Sequence, residues 1–506
     1  MSAMAVVLLS AVALWLTVSL LSAAAIGLTV PSAEVSPHLG YGVNLRYLSN
    51  VDTVFAPLGF DWVKVYERFD SMPAERLPYH VLYRIDVNHG DRWIWIDSRP
   101  YRPDLARIRA DVRQIALDGL GKIDAYEIGN EPNMDWEWMD QAPDPADFVA
   151  VLRAAYEEIK AVDPGAIVVS GGIGPVGRIG GPTGAAEVCS ANSGETYLGN
   201  NCRSMDERIF AREMFARGAG NHFDAFGYHP FGFAYEPERS LADLPSHDNG
   251  NGFAFRGAEA MRSVMVEFGL ADKPIWATEY GWLRHPGADG EFWCYNHPDF
   301  AAAKWYALSE SDQADYLVRS FQFADENWPW MGAMFIWAFD FHNVGARCWP
   351  GTYFSIRKFD GTDQGGGSLA YDALIPMSKR PGHFGPILAV DPERLTFLAD
   401  VDEPSVQYAV LRPRNTGYRT LAWTATVSSG LSVTPVLSVA SGLQDEPLTV
   451  TVDTSGYVTG VYAGALIVSA TAPGVADSPV EIAVTLRVIP DVARTFVPIV
   501  LRASPH

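Results

Sequence analysis

Residues 123–133 read Ile123-Asp124-Ala125-Tyr126-Glu127-Ile128-Gly129-Asn130-Glu131-Pro132-Asn133. The run 123–128 has the length and apolar content of a buried strand, and the Gly-Asn-Glu-Pro that follows breaks it, leaving Glu131 just past its C-terminal end. A second stretch repeats the device: Pro274-Ile275-Trp276-Ala277-Thr278 reads as a strand and delivers Glu279. Working outward, short apolar runs recur at 39–45, 61–66, 80–87, 166–170, 223–228 and 331–338, which brings the total to eight. Between them, 103–117, 145–161, 205–216, 257–268 and 311–326 space their apolar residues by three and four, as amphipathic helices do. Only 74–77 is available between the second and third strands, so the outer helix there is expected to be degenerate. Strands alternating with helical crossovers predict an α/β fold, a (β/α)8 TIM barrel over residues 36–384, with its active site at the C-terminal strand ends. Both glutamates occupy such ends.

Two carboxyl groups on separate strand ends suit cleavage of a glycosidic bond. One protonates the leaving oxygen while the other attacks the sugar or activates water. In a retaining mechanism the two lie only about 5 Å apart, and each negative charge then disfavours the other, so one is held protonated as the acid. A single glutamate at a strand end is more often a salt-bridge partner; the conjunction of Asn-Glu-Pro with a second strand-end Glu carries the catalytic reading. Glu127 lies on the same strand face as Glu131 but deeper, and reads as a buried, hydrogen-bonded partner.

Gly129-Asn130-Glu131-Pro132-Asn133 and Trp276-Ala277-Thr278-Glu279 together resemble glycoside hydrolase clan A. The resemblance spans roughly residues 38–380, weak overall and strong at these two points. It implies a retaining glycosidase with Glu131 as acid/base, Glu279 as nucleophile and Asn130 as a donor to the sugar 2-hydroxyl. It also implies an active-site role for His229, in Tyr228-His229-Pro230, and an aromatic platform at Trp337, in Phe335-Ile336-Trp337-Ala338. The plain alternatives are a satisfied core histidine and ordinary barrel packing. Trp136, Trp138, Trp282 and Trp293 read equally as sugar platforms or loop packing. Two departures from the clan pattern stand out. The second strand, Asp61-Trp62-Val63-Lys64-Val65-Tyr66, lacks the clan arginine, leaving Arg84 and Lys64 as candidates. Phe231 stands where many members have a tyrosine, with Tyr228 or Tyr280 as possible replacements near the nucleophile.

The charge balance narrows the partners. Lys+Arg 38 against Asp+Glu 60 gives a net charge of -22, which repels nucleic acid and polyanionic sugars alike. The 15 tryptophans and 21 tyrosines suit neutral sugars, whose apolar faces stack on aromatic rings, and equally the filling of a large core. Residues 3–30 carry no charge, and Ser22-Ala23-Ala24-Ala25 has the small-residue pattern of a cleavage site, so 1–30 reads as a signal peptide or an uncleaved membrane anchor. Either way the body is expected to be secreted or at the cell surface. Four cysteines in loop-like stretches agree with export; among three possible connectivities, Cys189 with Cys202 and Cys294 with Cys348 is the favoured pairing. No metal-ligand spacing occurs, and no metal or cofactor is expected.

Gly172-Ile173-Gly174-Pro175-Val176-Gly177 matches a dinucleotide fingerprint formally, but Pro175 and the Gly-Pro-rich continuation exclude the helix that would bind a pyrophosphate, so it reads as a flexible loop. Near residue 386 the texture changes to alternating Val, Thr and Ser, predicting an antiparallel, immunoglobulin-like β-sandwich of about seven strands over 387–490. Asn415-Thr416-Gly417, Leu421-Ala422-Trp423-Thr424-Ala425 and Gly460-Val461-Tyr462-Ala463-Gly464 resemble the BACON domain of extracellular bacterial proteins. That resemblance implies glycan association or, with Trp423 as its one conspicuous tryptophan and read as core, a spacer. Residues 491–506 form an apolar tail, too short to span a membrane. The chain as a whole reads as a secreted retaining glycosidase acting on neutral, β-linked oligo- or polysaccharides; the alternative is a noncatalytic glycan-binding protein on the same scaffold.

Overall fold

The computed structural model describes residues 39–490 apart from 89–91, 97–98, 140–141, 177–203, 246–252, 344–347, 363, 381–383, 418 and 429–431. The N-terminal apolar segment, Cys189, Cys202 and the 491–506 tail lie outside the described residues.

Eight parallel strands form the first sheet: β1 (Gly40–Asn44), β2 (Trp62–Tyr66), β3 (His80–Ile85), β4 (Ala125–Ile128), β5 (Ile167–Ser170), β6 (Phe226–Tyr228), β7 (Ile275–Tyr280) and β8 (Met331–Ile336). Each pairs with its neighbour in chain order, β8 pairs with β1, and the bridges Val169–Ala225 and Ile173–Tyr228 join β5 to β6, closing a barrel. All eight are where the apolar runs put them. The helices α1 (Leu105–Gly119), α2 (Pro145–Val162), α3 (Glu207–Ala216), α4 (Gly257–Glu267), α5 (Glu310–Asn327) and α6 (Leu369–Leu374) follow β3 to β8. Asp104, Asp144, Asp206 and Ser309 cap the first, second, third and fifth of them by accepting from first-turn N–H groups, each worth about 1 kcal/mol. No helix fills the short β2–β3 connection, where a single 3-10 turn (Glu67–Phe69) stands instead.

Strand alternation divides the side chains. Val63, Val65, Val81, Ile85 and Ile128 face outward into the helical layer, whereas Trp62, Leu82, Ala125, Ile167, Val169, Trp276 and Phe335 pack inside the barrel. Phe384, on the chain leaving the barrel, closes this inner cluster, with its ring 5.0 Å from Trp62 and 5.1 Å from His80. On β7 the alternation is interrupted. Ala277 pairs with Met334 but Tyr280 pairs with Ile336, so three steps on β7 match two on β8 and one extra residue bulges.

Residues 388–489 build two further sheets. One orders Leu388–Asp391, Val406–Asn415, Leu448–Asp453 and Val436–Leu437; the other orders Arg394–Asp400, Val480–Ile489, Gly460–Ala470, Ala422–Val427 and Ser441–Leu443. The pairs are antiparallel except Arg394–Asp400 with Val480–Ile489, which run parallel, because the chain changes sheet between its first two strands. The nine strands, including two short ones, enclose a separate core in which Trp423 is fully buried.

Candidate active site

Glu279 sits at the bulge. Trp276 and Thr278 face the barrel interior, and the extra residue turns Glu279 inward as well while sending Tyr280 outward. Bulging frees a backbone carbonyl, and the Thr278 carbonyl accepts from the Asn44 side-chain amide at 3.1 Å and from Lys64 Nζ at 3.3 Å. Lys64, wholly buried on β2, also lies 3.1 Å from Glu279 and 2.7 Å from Glu127. Arg84 on β3 approaches Glu279 to 3.7 Å and pairs with Asp86 at 2.7 Å. Burial pushes the Glu279 carboxyl up, but Lys64, His229 and Arg84 together outweigh it and hold the group below the usual glutamate range. Lys64 and Arg84 are both within ion-pair distance of Glu279. Tyr66, two residues beyond Lys64 on the same face, donates its hydroxyl to Asn44 Oδ1 and holds the Arg84 guanidinium over its ring, 4.6 Å from the centroid.

Glu131 lies three residues past β4 with φ +36°, a conformation uncommon for a residue with a side chain. Its N–H donates to Gly172 O at 2.8 Å, and its carboxylate has no Lys or Arg within ion-pair distance among the described residues. His229, wholly buried beyond β6, bridges the two glutamates: Nδ1 is 3.1 Å from Glu131 Oε1 and 4.0 Å from Glu279 Oε2, while Nε2 is 3.1 Å from the Thr278 hydroxyl. Two carboxylate oxygens facing Nδ1 call for a proton on that nitrogen, which then donates to Glu131. The carboxylates can be no farther apart than the sum of the two Nδ1 contacts.

The segment read as a flexible loop is instead the platform under this site. Gly172 N–H donates to Glu127 Oε1 at 3.1 Å, Ile173 O accepts from His229 N–H at 3.0 Å, and Gly174 exchanges hydrogen bonds with the Asn133 side chain. A Cβ on Gly172 would stand 2.1 Å from His229 Nε2, and one on Gly174 would stand 2.7 Å from Glu131 Oε1. The space of the missing side chains is taken by the His229 ring and the Thr278 hydroxyl at Gly172, and by Met134 and Glu131 at Gly174. Residues 177–181 of that stretch lie outside the described residues.

The other sequence candidates separate. Asn130 is buried and donates Nδ2 to Glu137 at 3.1 Å, in the turn after β4. Trp337 is partly buried beyond β8, 4.4 Å from Phe341 and 6.4 Å from Tyr66 between ring centroids. Trp136 and Trp293 are about half exposed on their loops, at 53% and 49%. Four aromatics offered by the sequence for the site are not in it. Tyr280 packs outward between Phe255 and Phe321 with its hydroxyl near Ser320, a consequence of the bulge. Tyr228 is outward on β6, in the helical-layer core. Trp282 is fully buried and donates Nε1 to Tyr235 O at 2.7 Å, so it is a loop support; Trp138, donating to Pro132 O, is another. Asn44, Tyr66 and Thr278 were missed, although parity with Gly42, Lys64 and Trp276 marks all three as inward. The disulfide Cys294–Cys348 forms between the loops after β7 and β8, as paired from sequence.

No protein-family model and no curated protein matches the chain. Among solved structures, a calcium-binding mutant of Bacteroides uniformis beta-glucuronidase 2 aligns with 12% identity and a TM-score of 0.39, over 90% of this chain and 46% of that one. A GH128 endo-beta-1,3-glucanase mutant from Amycolatopsis mediterranei, in complex with laminaripentaose, aligns with 12% identity and a TM-score of 0.37, over 67% and 99%. A glucosidase from Croceicoccus marinus aligns with 13% identity and a TM-score of 0.41, over 85% and 84%. The chain spans less than half the length of the Bacteroides protein. At these scores none of the three bears on substrate or chemistry.

Proposed function

We propose that this chain is a retaining glycoside hydrolase of the clan A type, acting on neutral, β-linked oligo- or polysaccharides, with Glu131 as acid/base and Glu279 as nucleophile. The observation that carries the proposal is the single imidazole nitrogen of His229 lying within 3.1 Å of one glutamate and 4.0 Å of the other at the C-terminal end of the barrel. That bound admits the roughly 5 Å separation of a retaining pair and leaves out the upper part of the roughly 6.5–9.5 Å inverting range. The charge environment supports the division of roles. Glu279, against Lys64 and Arg84, is kept ionised for attack, while Glu131 has the more open position from which a proton can reach the leaving oxygen.

In the first half-reaction the Glu279 carboxylate attacks the anomeric carbon as Glu131 protonates the departing oxygen. In the second, Glu131 takes a proton from water, which displaces the ester at Glu279. Esterification removes the negative charge from Glu279, so the two carboxyl groups no longer repel each other in the second half-reaction. Export through the uncharged N-terminal segment and a spacer role for the BACON-like β domain belong to the same reading. A noncatalytic glycan-binding role is less well supported, since binding has no need of two carboxylates around one imidazole.

The test is incubation of the purified chain with aryl β-glycosides and neutral β-glycans, following sugar release and product anomer by NMR. Release with retained configuration is expected, and Glu279→Ala should lower turnover by at least about 1,000-fold. Inverted product would overturn the mechanism; binding without release in the native chain would leave the glycan-binding alternative.

A further inference from the structure

Beyond the glutamate pair, ring contacts form an unbroken chain across the mouth of the barrel. His229 meets Phe231 at 6.1 Å between centroids, Phe231 meets Phe354 at 5.4 Å, and Phe354 meets Tyr306 at 6.5 Å. Tyr306 in turn meets Trp305 at 5.0 Å and Phe233 at 5.4 Å. Phe233 and Trp305 form a stacked pair, 5.6 Å apart and 6° from parallel, with Phe253 4.7 Å from Phe233 and 6.2 Å from Trp305, and Trp305 is 49% exposed. The rings come from the loops after β6, β7 and β8, the face that carries the catalytic pair. The four rings between His229 and Trp305 each keep part of their surface exposed.

The wall is also held rigid. Tyr306 and Phe354 pack on the buried cluster around Cys294–Cys348, which ties the β7 loop to the β8 loop. Beneath the β6 loop, Trp282 grips Tyr235 O and leaves no room for a side chain at Gly232, where a Cβ would stand 1.9 Å from the indole. Phe233 is kept at φ +51°, which a bulky residue avoids unless its surroundings impose it. Exposed rings on a braced wall, continuous with a catalytic centre, suit a ligand with repeated apolar faces.

We propose that this chain of rings is a glycan-binding track, a series of subsites that seat an extended neutral β-linked glycan running from the catalytic pair out to Trp305 and Phe233. The proposal rests on the glycosidase reading of that pair for its direction. The net charge of -22 disfavours a polyanionic chain on the same surface.

The experiment is calorimetric titration of the full chain carrying Glu279→Gln with neutral β-1,3- and β-1,4-linked gluco-oligosaccharides of two to six units. Affinity is expected to rise with chain length. Adding Trp305→Ala or Phe233→Ala is expected to weaken hexasaccharide binding about tenfold, the equivalent of ~1.4 kcal/mol, and to flatten the rise. Phe292→Ala, a 69% exposed ring on the same side but outside the chain of contacts, should leave the rise in place. Affinity independent of length, a rise that survives both track substitutions, or no binding by any member of the series would overturn the track. The glycosidase reading fails separately. A native chain that binds with track-dependent length preference but releases no sugar removes hydrolysis and keeps the track, whereas turnover with length-independent affinity does the reverse.

Discussion

Glu131 and Glu279 are the same residue type, and their neighbours divide the work between them. Lys64 acts on Glu279, on Glu127 and on the carbonyl freed by the bulge, so one buried ammonium holds charge and backbone together. Lys64→Met would leave Glu127 without its cation and Glu279 with Arg84 alone, at about 3–5 kcal/mol of stability. Because Glu279 is held below the usual range partly by Lys64, its ionised form stabilises the fold above that range and the contribution is lost as pH falls through the lowered value. In the variant Glu279 protonates earlier on acidification, so if it is the proposed nucleophile the acid limb of the kcat/KM profile should move to higher pH; an unmoved limb would remove Lys64 from that role. Glu137 behaves oppositely. Burial pushes it up to about 7 in spite of Arg84, Arg68 and the Asn130 hydrogen bond. The folded state therefore binds this proton more tightly than the unfolded chain does. The advantage is full below the ordinary glutamate value of 4.5 and is lost as pH rises through about 7. Glu137→Gln should flatten the decline in urea stability between about pH 5 and 8, an effect on the order of 3 kcal/mol, and a slope like that of the parent protein would exclude Glu137 as its source.

Among the elements, the bulge in β7 and the Gly172–Gly174 segment matter most, because they set where the side chains of neighbouring elements point. Gly172→Ala puts a methyl group where the His229 imidazole lies and is expected to lower kcat/KM by about 100-fold, since displacement of a positioning group by roughly 1 Å has that effect. Circular dichroism should stay that of the parent protein, and full activity would mean that His229 does not need its place. This element also marks where the sequence stopped being readable. The eight strands and five long helices were legible because their periods are regular, and the glutamates because Pro132 and the strand ends mark them. A bulge leaves no periodic trace, so Tyr280 was assigned to the site when the extra residue turns it toward α5. Gly172 and Gly174 were read as looseness because a sequence shows a missing side chain but not what fills its space. Lys64 and Tyr66 were open to simple strand parity, two residues apart on one face. Trp282 was not, as nothing local distinguishes a tryptophan under a loop from one facing a ligand.

At the scale of the whole molecule the two ends of the barrel have different duties. The Glu131–Glu279 pair and the ring wall occupy the C-terminal strand ends, while the opposite end is filled by Trp62, Trp276 and Phe335 and covered by Phe384 on the way to the β domain. The β domain adds a polar tie there. Its Arg419 reaches Asp124, a carboxyl that burial pushes up but that His80, Arg76 and the Val81 N–H bring down to about 2. Asp124 thus steadies the fold above the ordinary aspartate range, and that contribution disappears as pH falls toward 2. Arg419 is 43% exposed, so its own share is about 1 kcal/mol or less, and the apolar contact of Phe384 is the larger link. Phe384→Ala is therefore expected to lower the unfolding free energy by roughly 3 kcal/mol, through the cavity left against Trp62 and His80. The same variant should keep kcat/KM within about twofold below its melting temperature, because the substitution and the carboxylates are separated by the full layer of barrel side chains. A loss of activity in the folded variant would mean that the floor of the barrel sets the geometry at its mouth, and that the β domain acts on catalysis through Phe384 instead of serving as a spacer.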